Sequence, residues 1–223
     1  MHHVVEEIDR PATPLSEQLE GLPTAVLSDV TTKYENTMDS GINSIGSPTM
    51  AGPALTVKTY PGDNLMVHKA VTLAEPGDVL VVDANGYTEA GLVGELLATS
   101  CQTHGLAGIV IDGAVRDVPE LTELEFPVYT RGTCPKGSYK GHPGSINVPI
   151  SCGNVSVDPG DIVVGDAEGV VVIDPEHADT VAANARSKLE EETAMKARIE
   201  AGEYIYEIAN LNETYERLDI ETK

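Results

Sequence analysis

Short apolar runs bounded by acids, prolines and glycines punctuate the first 135 residues, and their period sets the fold class. Ala54-Leu55-Thr56-Val57-Lys58-Thr59-Tyr60 alternates and is β-branched, which predicts a strand. Asp78-Val79-Leu80-Val81-Val82-Asp83 and Ala107-Gly108-Ile109-Val110-Ile111-Asp112 are almost wholly apolar between polar ends, the pattern of strands buried on both faces. Pro127–Arg131 makes a further strand. Between them the period changes. Residues 64–74 read as a short helix closed by Pro76-Gly77. Residues 89–104 read as a helix with Gly105 as its C-cap, and 119–125 as a short helix with proline in its first turn. Strand 78–83, helix 89–104 and strand 107–112 form a βαβ unit, parallel and right-handed, a topology that puts ligands at the carboxyl ends of the strands.

The flanks complete the outline. Residues 13–33 predict helix, with Thr13 or Ser16 as caps, Pro23 as an interruption and Thr24 opening a second segment. Residues 34–50 and 132–147 read as loops. From Ile146 the pattern is β: 148–151, 154–157, a turn at Asp158-Pro159-Gly160-Asp161, then 162–166 and 169–173 around Ala167-Glu168. Asp174-Pro175 is an N-cap followed by a first-turn proline, opening a helix that runs to Ala201 with Gly202 beyond it. A last helix spans about 203–218. The sequence contains no internal repeat or flexible linker, so one α/β domain over 1–223 is expected. Its layers are a mostly parallel sheet, a second β layer from the 145–173 region, and outer helices about 13–33 and 175–218.

Composition narrows the function. The formal charge of −22 comes from 36 acids against 14 scattered bases, which argues against nucleic acid as a direct ligand. The acids are spread over the whole chain rather than blocked, which favours a surface suited to high salt over a recognition face for a basic partner. There is no Trp and one Phe, so Val, Ile, Leu and Ala must supply the core. Three cysteines without CxxC spacing, no basic-then-apolar N-terminus and no apolar run near the ~20 residues of a membrane span predict a reduced cytoplasmic protein with no membrane partner.

The chemistry concentrates between Glu95 and Arg116-Asp117. Ten residues of helix cover roughly 15 Å and six of strand roughly 20 Å back, so the twenty-residue spacing lets the acid and the Arg-Asp pair meet at one sheet edge. Gly91-Leu92-Val93-Gly94-Glu95-Leu96-Leu97 puts small residues and free N–H groups at a helix start, where carboxylates and phosphates bind. The competing reading is packing relief by the glycines and a dipole role for Glu95. Arg116 can hold a carboxylate bidentately, and Asp117 is a hard oxygen ligand of the kind Mg²⁺ takes with several waters; the alternative is a surface ion pair. Asn64 and His68 share a helix face and either line a pocket or pack. Arg131, Lys136 and Lys140 are candidates to select the rest of a substrate. Cys101, Cys134 and Cys152 sit in no nucleophile motif and read as structural.

Several blocks together resemble the RraA-like family: Asn64-Leu65-Met66-Val67-His68, Gly94-Glu95-Leu96-Leu97-Ala98-Thr99, Asp112-Gly113-Ala114-Val115-Arg116-Asp117, Pro143-Gly144-Ser145-Ile146-Asn147-Val148-Pro149 and Asp161–Val172. The similarity covers roughly residues 20–205. The acid, twenty residues, Arg-Asp pattern resembles the class II pyruvate aldolase branch, with Glu95 where many members have Asp. That resemblance implies a β/β/α swivelling-type layered sandwich assembled as homotrimers or hexamers. It implies a lyase that cleaves a 4-hydroxy-2-oxo acid, such as 4-hydroxy-4-methyl-2-oxoglutarate or 4-carboxy-4-hydroxy-2-oxoadipate, to pyruvate, and that also decarboxylates oxaloacetate. It further implies Asp117 as direct ligand of Mg²⁺ or Mn²⁺, Glu95 as holder of metal-bound water, and the N–H groups of Gly94, Leu96 and Leu97 as the pyruvate carboxylate site. The resemblance also implies that Arg116 contacts the keto or enolate oxygen and that Glu192 (or Glu191), from a neighbouring subunit, orients a metal-bound water. The alternatives are the family's non-enzymatic regulator branch, a protein-binding oligomer, and a metal-dependent lyase for another 2-oxo or sugar acid. The methyltransferase label sometimes attached to such sequences finds no S-adenosylmethionine-type glycine loop here.

Overall fold

The computed structural model describes residues 2–11, 13–218 and 220. Its elements, in order, are helices α1 (Thr13–Leu19), α2 (Thr24–Val30) and α3 (Lys33–Asn36); strands β1 (Asn43–Ile45) and β2 (Met50–Lys58); α4 (Leu65–Val71); β3 (Val79–Val93); α5 (Glu95–Thr103); β4 (Gly108–Val115); α6 (Val118–Glu123); β5 (Val128–Thr133); β6 (Ser145–Ile146); the ribbon β7 (Ile150–Cys152) and β8 (Val155–Val157); the hairpin β9 (Ile162–Asp166) and β10 (Gly169–Ile173); and α7 (Ala178–Glu200), α8 (Ile205–Ile208) and α9 (Leu211–Arg217).

The sheet runs β1-β5-β4-β3-β2-β9-β10, with β6 also on β2. Strands β2, β3, β4 and β5 are mutually parallel, and β9 and β10 continue the sheet antiparallel. β2 is the shared strand: Met50–Pro53 pair with β9, whereas Ala54–Lys58 pair with β3. Successive side chains of a strand point to opposite faces, and here both faces are covered. Leu55, Val57, Leu80, Val82, Ile109 and Ile111 pack against α4, α5 and α6. Ala54, Val79, Val81 and Val110 pack against β7, β8 and one face of β9 and β10. The other face of that hairpin, through Ile162, Val164, Val171 and Ile173, takes α1, α2 and the first half of α7. The expected α/β layering, with its second β layer, is therefore present.

Several boundaries differ from the sequence reading; residues 34–50, read as a loop, include part of α3 and all of β1, and the strand read over 54–60 runs over 50–58. The helix expected over 89–104 begins only at Glu95, because residues 89–93 belong to β3, a 15-residue strand. The cause lies in β4: Ala114 and Val115 extend beyond the first βαβ register and pair with Gly91 and Val93, after shifts at Asp83/Tyr87 and Tyr87/Gly91. Tertiary pairing thus overrides a locally helical pattern. The N-terminal helices are three short pieces, and Ser16 lies inside α1 rather than capping it. The last helix breaks at Asn210, whose φ of 51° is left-handed. Asp174 does cap, its side chain accepting from the Glu176 N–H at 2.8 Å, although a 3₁₀ turn precedes α7. Among the described residues no helix is long and apolar enough to cross a membrane.

Candidate active site

The site is built at the junction of β3 with α5 and of β4 with α6. Gly94 caps α5 and has no side chain with which to satisfy the helix N–H groups. Asp117, the N-cap position of α6, supplies the missing acceptor from across the sheet: its Oδ2 takes the Glu95 N–H at 3.2 Å and lies 3.4 Å from Arg116 Nε. The next N–H groups, those of Leu96 and Leu97, stand at the first turn of α5, the end of the helix that favours anions.

Asp117 adopts φ 57°, ψ 44°, the left-handed region, which costs a non-glycine residue free energy and turns its carboxylate back toward α5. Arg116 is fixed by its own backbone, its N–H donating to Val93 O at 2.9 Å. Three glycines then leave room for the pair. A Cβ on Gly94 would strike the Asp117 carboxylate and lie 3.1 Å from Arg116 Nε; one on Gly91 would lie 2.8 Å from Arg116 Cβ; one on Gly137 would lie 3.3 Å from an Arg116 terminal nitrogen. Gly137 belongs to the 134–144 segment, which is held over the site by the Gly91 N–H to Lys136 O bond (2.9 Å) and the Asn64 N–H to Tyr139 O bond (3.0 Å).

The result is a cavity of about 220 Å³ whose lining includes Arg116, Asp117, Gly94, Leu96 and Leu97 together with Asn64, His68, Ser138 and Lys140. Burial, and secondarily the charge of Lys140, pull the His68 imidazole below its ordinary pKa, which favours its neutral form.

Most residues expected at the site meet there: Gly94, Leu96, Leu97, Arg116 and Asp117 line one cavity, and Asn64 and His68 line it rather than only packing. Glu95 contributes its N–H to Asp117, while its carboxylate is exposed and makes no hydrogen bond or ion pair among the described residues. Glu192 and Glu191 are not in the cavity; Glu192 is on the exposed half of α7, 3.5 Å from Lys188. Of the three cations considered for a second substrate half, Arg131 is committed to Asp39 and Asp112, and Lys136 to Glu89, which leaves Lys140 in the cavity. Sequence reasoning missed the spacing roles of Gly91 and Gly137. The signal was there in Gly91, a glycine at the sheet edge before an acid, but only the fold brings Gly137 to it.

Among the described residues no three His, Cys, Asp or Glu side chains form a metal-binding cluster. A divalent cation here therefore rests on Asp117 and at most one further carboxylate of the chain, a donor set that fits an ion retaining several waters, such as Mg²⁺. Cys101 and Cys152 fit a structural role: burial pushes the Cys101 thiol up to about 12, and Cys152, fully buried, is also raised.

Residues 24–172, more than half of the chain, match the RraA-like family, described as Aldolase/RraA. The chain belongs to the RraA-like family. A protein of Halalkalibacterium halodurans with the provisional name 4-hydroxy-4-methyl-2-oxoglutarate aldolase is 40% identical over 183 residues, covering 82% of this chain and 87% of that protein. Among solved structures, Streptomyces coelicolor RraAS2, described as an unusual member of the RNase ES inhibitor RraA family, superposes with a TM-score of 0.78 at 29% identity, covering 85% of this chain and 99% of its own. A Geobacillus kaustophilus structure titled S-adenosylmethionine:2-dimethylmenaquinone methyltransferase is 36% identical with a TM-score of 0.63, over 68% of this chain and 94% of its own. This RraA-like chain thus shares the fold of these relatives, and its matched region contains every cavity residue named above.

Proposed function

We propose that this RraA-like protein is a divalent-metal-dependent lyase that cleaves a 4-hydroxy-2-oxo acid to pyruvate by a retro-aldol reaction and decarboxylates oxaloacetate at the same site. The observation that carries this reading is the convergence of Arg116, Asp117 and the open α5 N-terminus on one small cavity. It is supported by the aldolase name of the H. halodurans relative.

The N–H groups of Leu96 and Leu97, with that of Gly94, bind the 2-oxo acid carboxylate. Asp117 would hold a divalent cation directly and Glu95 a water bound to it, and such a cation would supply Lewis acidity to the 2-oxo group. Arg116 donates to the oxygen on which enolate charge develops, and its placement between Gly91, Gly94 and Gly137 pre-organises it for that task. The Glu95 carboxylate, which is exposed, would hold the water that takes the C4 hydroxyl proton. The C3–C4 electron pair then moves into the enolate, the C4 carbon becomes a carbonyl, and protonation at C3 gives pyruvate. For oxaloacetate the same enolate forms as CO₂ leaves, with no base required. Glu192 joins the site only from a second copy of the chain, so the functional unit in this reading is a homo-oligomer, a trimer or a pair of trimers.

The competing reading is a protein-binding regulator, favoured by the RNase-inhibitor description of RraAS2. The purified protein with oxaloacetate and Mn²⁺ separates the two. Pyruvate formation that EDTA stops supports the lyase, whereas no metal-dependent turnover of any 2-oxo acid supports the regulator.

A further inference from the structure

Beyond Arg116, Asp117 and the start of α5, which the pyruvate half of such a substrate would use, the rest of the cavity wall has its own chemistry. Lys140 is the cation there that no carboxylate engages among the described residues, since Arg131 and Lys136 are both paired. Asn64, on the same wall, is 6% exposed. Its Nδ2 donates to Leu92 O at 2.7 Å, which fixes the amide, and Oδ1 is left as a buried acceptor with no donor among the described residues. Leaving such a group unpaired is costly, and so points to a ligand atom that donates.

A 4-hydroxy-2-oxo dicarboxylate matches this wall. At neutral pH its carboxylates and keto oxygen are acceptors only, and its C4 hydroxyl is its one donor. Resting on the lyase reading above, we propose that Lys140 and Asn64 form the subsite for the half that leaves: Lys140 Nζ binds the distal carboxylate and Asn64 Oδ1 accepts the C4 hydroxyl. The hydroxyl rests on Asn64 and turns about its C–O bond to give its proton to the water at Glu95. Asn64 therefore acts in binding and in selecting a hydroxylated substrate rather than in the proton transfer. A site built to pair a hydroxyl discriminates strongly against acids that lack it.

The test uses the full-length protein with Mg²⁺ and two reactions. One is cleavage of 4-hydroxy-4-methyl-2-oxoglutarate. The other is exchange of pyruvate methyl protons with D₂O followed by NMR, a reaction of the pyruvate half alone. In Lys140→Gln and Asn64→Ala, kcat/KM for cleavage falls by about 10- to 100-fold, mostly through KM. Pyruvate exchange falls at least tenfold less. Lys140 is exposed, so its variant folds and carries the test even where Asn64→Ala does not. Cleavage and exchange changing in parallel, within about twofold, would overturn the subsite while leaving the lyase reading standing. A wild type inactive in both reactions would overturn that reading, and this inference with it.

Discussion

The main-chain N–H of Glu95 donates to Asp117 Oδ2 at 3.2 Å, bridging 22 residues of sequence. Through this bond a carboxylate on one sheet-edge helix caps another helix whose own N-cap is glycine. The same contact fixes the Asp117 carboxylate at the anion-binding end of α5, with Arg116 alongside.

Asp117→Asn isolates the charge. Asn tolerates the left-handed backbone at this position and keeps an acceptor for the Glu95 N–H. Thermal stability therefore changes little, whereas Mn²⁺ affinity by calorimetry and kcat/KM both fall at least about 100-fold. A variant with wild-type metal affinity would remove Asp117 from the metal site.

Gly94→Ala tests the close approach. With φ −140° and ψ −172°, position 94 imposes no left-handed strain, so any effect comes from the added Cβ meeting the Asp117 carboxylate. Displacing that carboxylate by even an ångström is expected to lower kcat/KM by about 100-fold. Near-wild-type turnover in a correctly folded variant would show that the carboxylate position is not critical.

Asp161 provides a pH-dependent stability marker away from the site. Burial raises its carboxyl to about 6, while its Oδ2 accepts the Asp158 N–H at 2.8 Å. A carboxyl raised in the folded state favours folding below its unfolded pKa, and that contribution is lost as pH rises through about 6. Asp161→Asn should therefore raise Tm at pH 8, with the gain disappearing by about pH 4. An equal gain at both pH values would assign it to something other than this titration.

The charge of −22 predicts a salt response. Raising KCl from about 0.05 to about 1 M shortens the screening length from over 10 Å to about 3 Å. Relief of self-repulsion should then raise Tm by roughly 5 °C. A Tm that is flat or falls with salt would argue that the acids are locally compensated.

Legibility in the sequence followed burial. The strands around Val79–Val82 and Gly108–Ile111 were readable because both faces are covered, which forces an unbroken apolar run. The meeting of Glu95 with Arg116-Asp117 was readable from spacing, since one helix and one strand fix the return distance. The start of α5 was not, because residues 89–93 are extended only through their pairing with Ala114 and Val115. Nor was the commitment of Arg131 to Asp39 and Asp112, partners that lie 92 and 19 residues away and that remove it from any substrate role. Of the three cations named from the sequence, Lys140 was singled out only by that elimination, together with the path of the 134–144 segment over the cavity.

The most direct test of the lyase account is pyruvate release from 4-hydroxy-4-methyl-2-oxoglutarate, followed with lactate dehydrogenase and NADH, for the wild type and Arg116→Ala with Mg²⁺ and with EDTA. The account predicts turnover by the wild type with Mg²⁺, its loss with EDTA, and a fall of at least about 100-fold in Arg116→Ala. Undiminished cleavage by Arg116→Ala, or cleavage by the wild type that EDTA leaves intact, would contradict it.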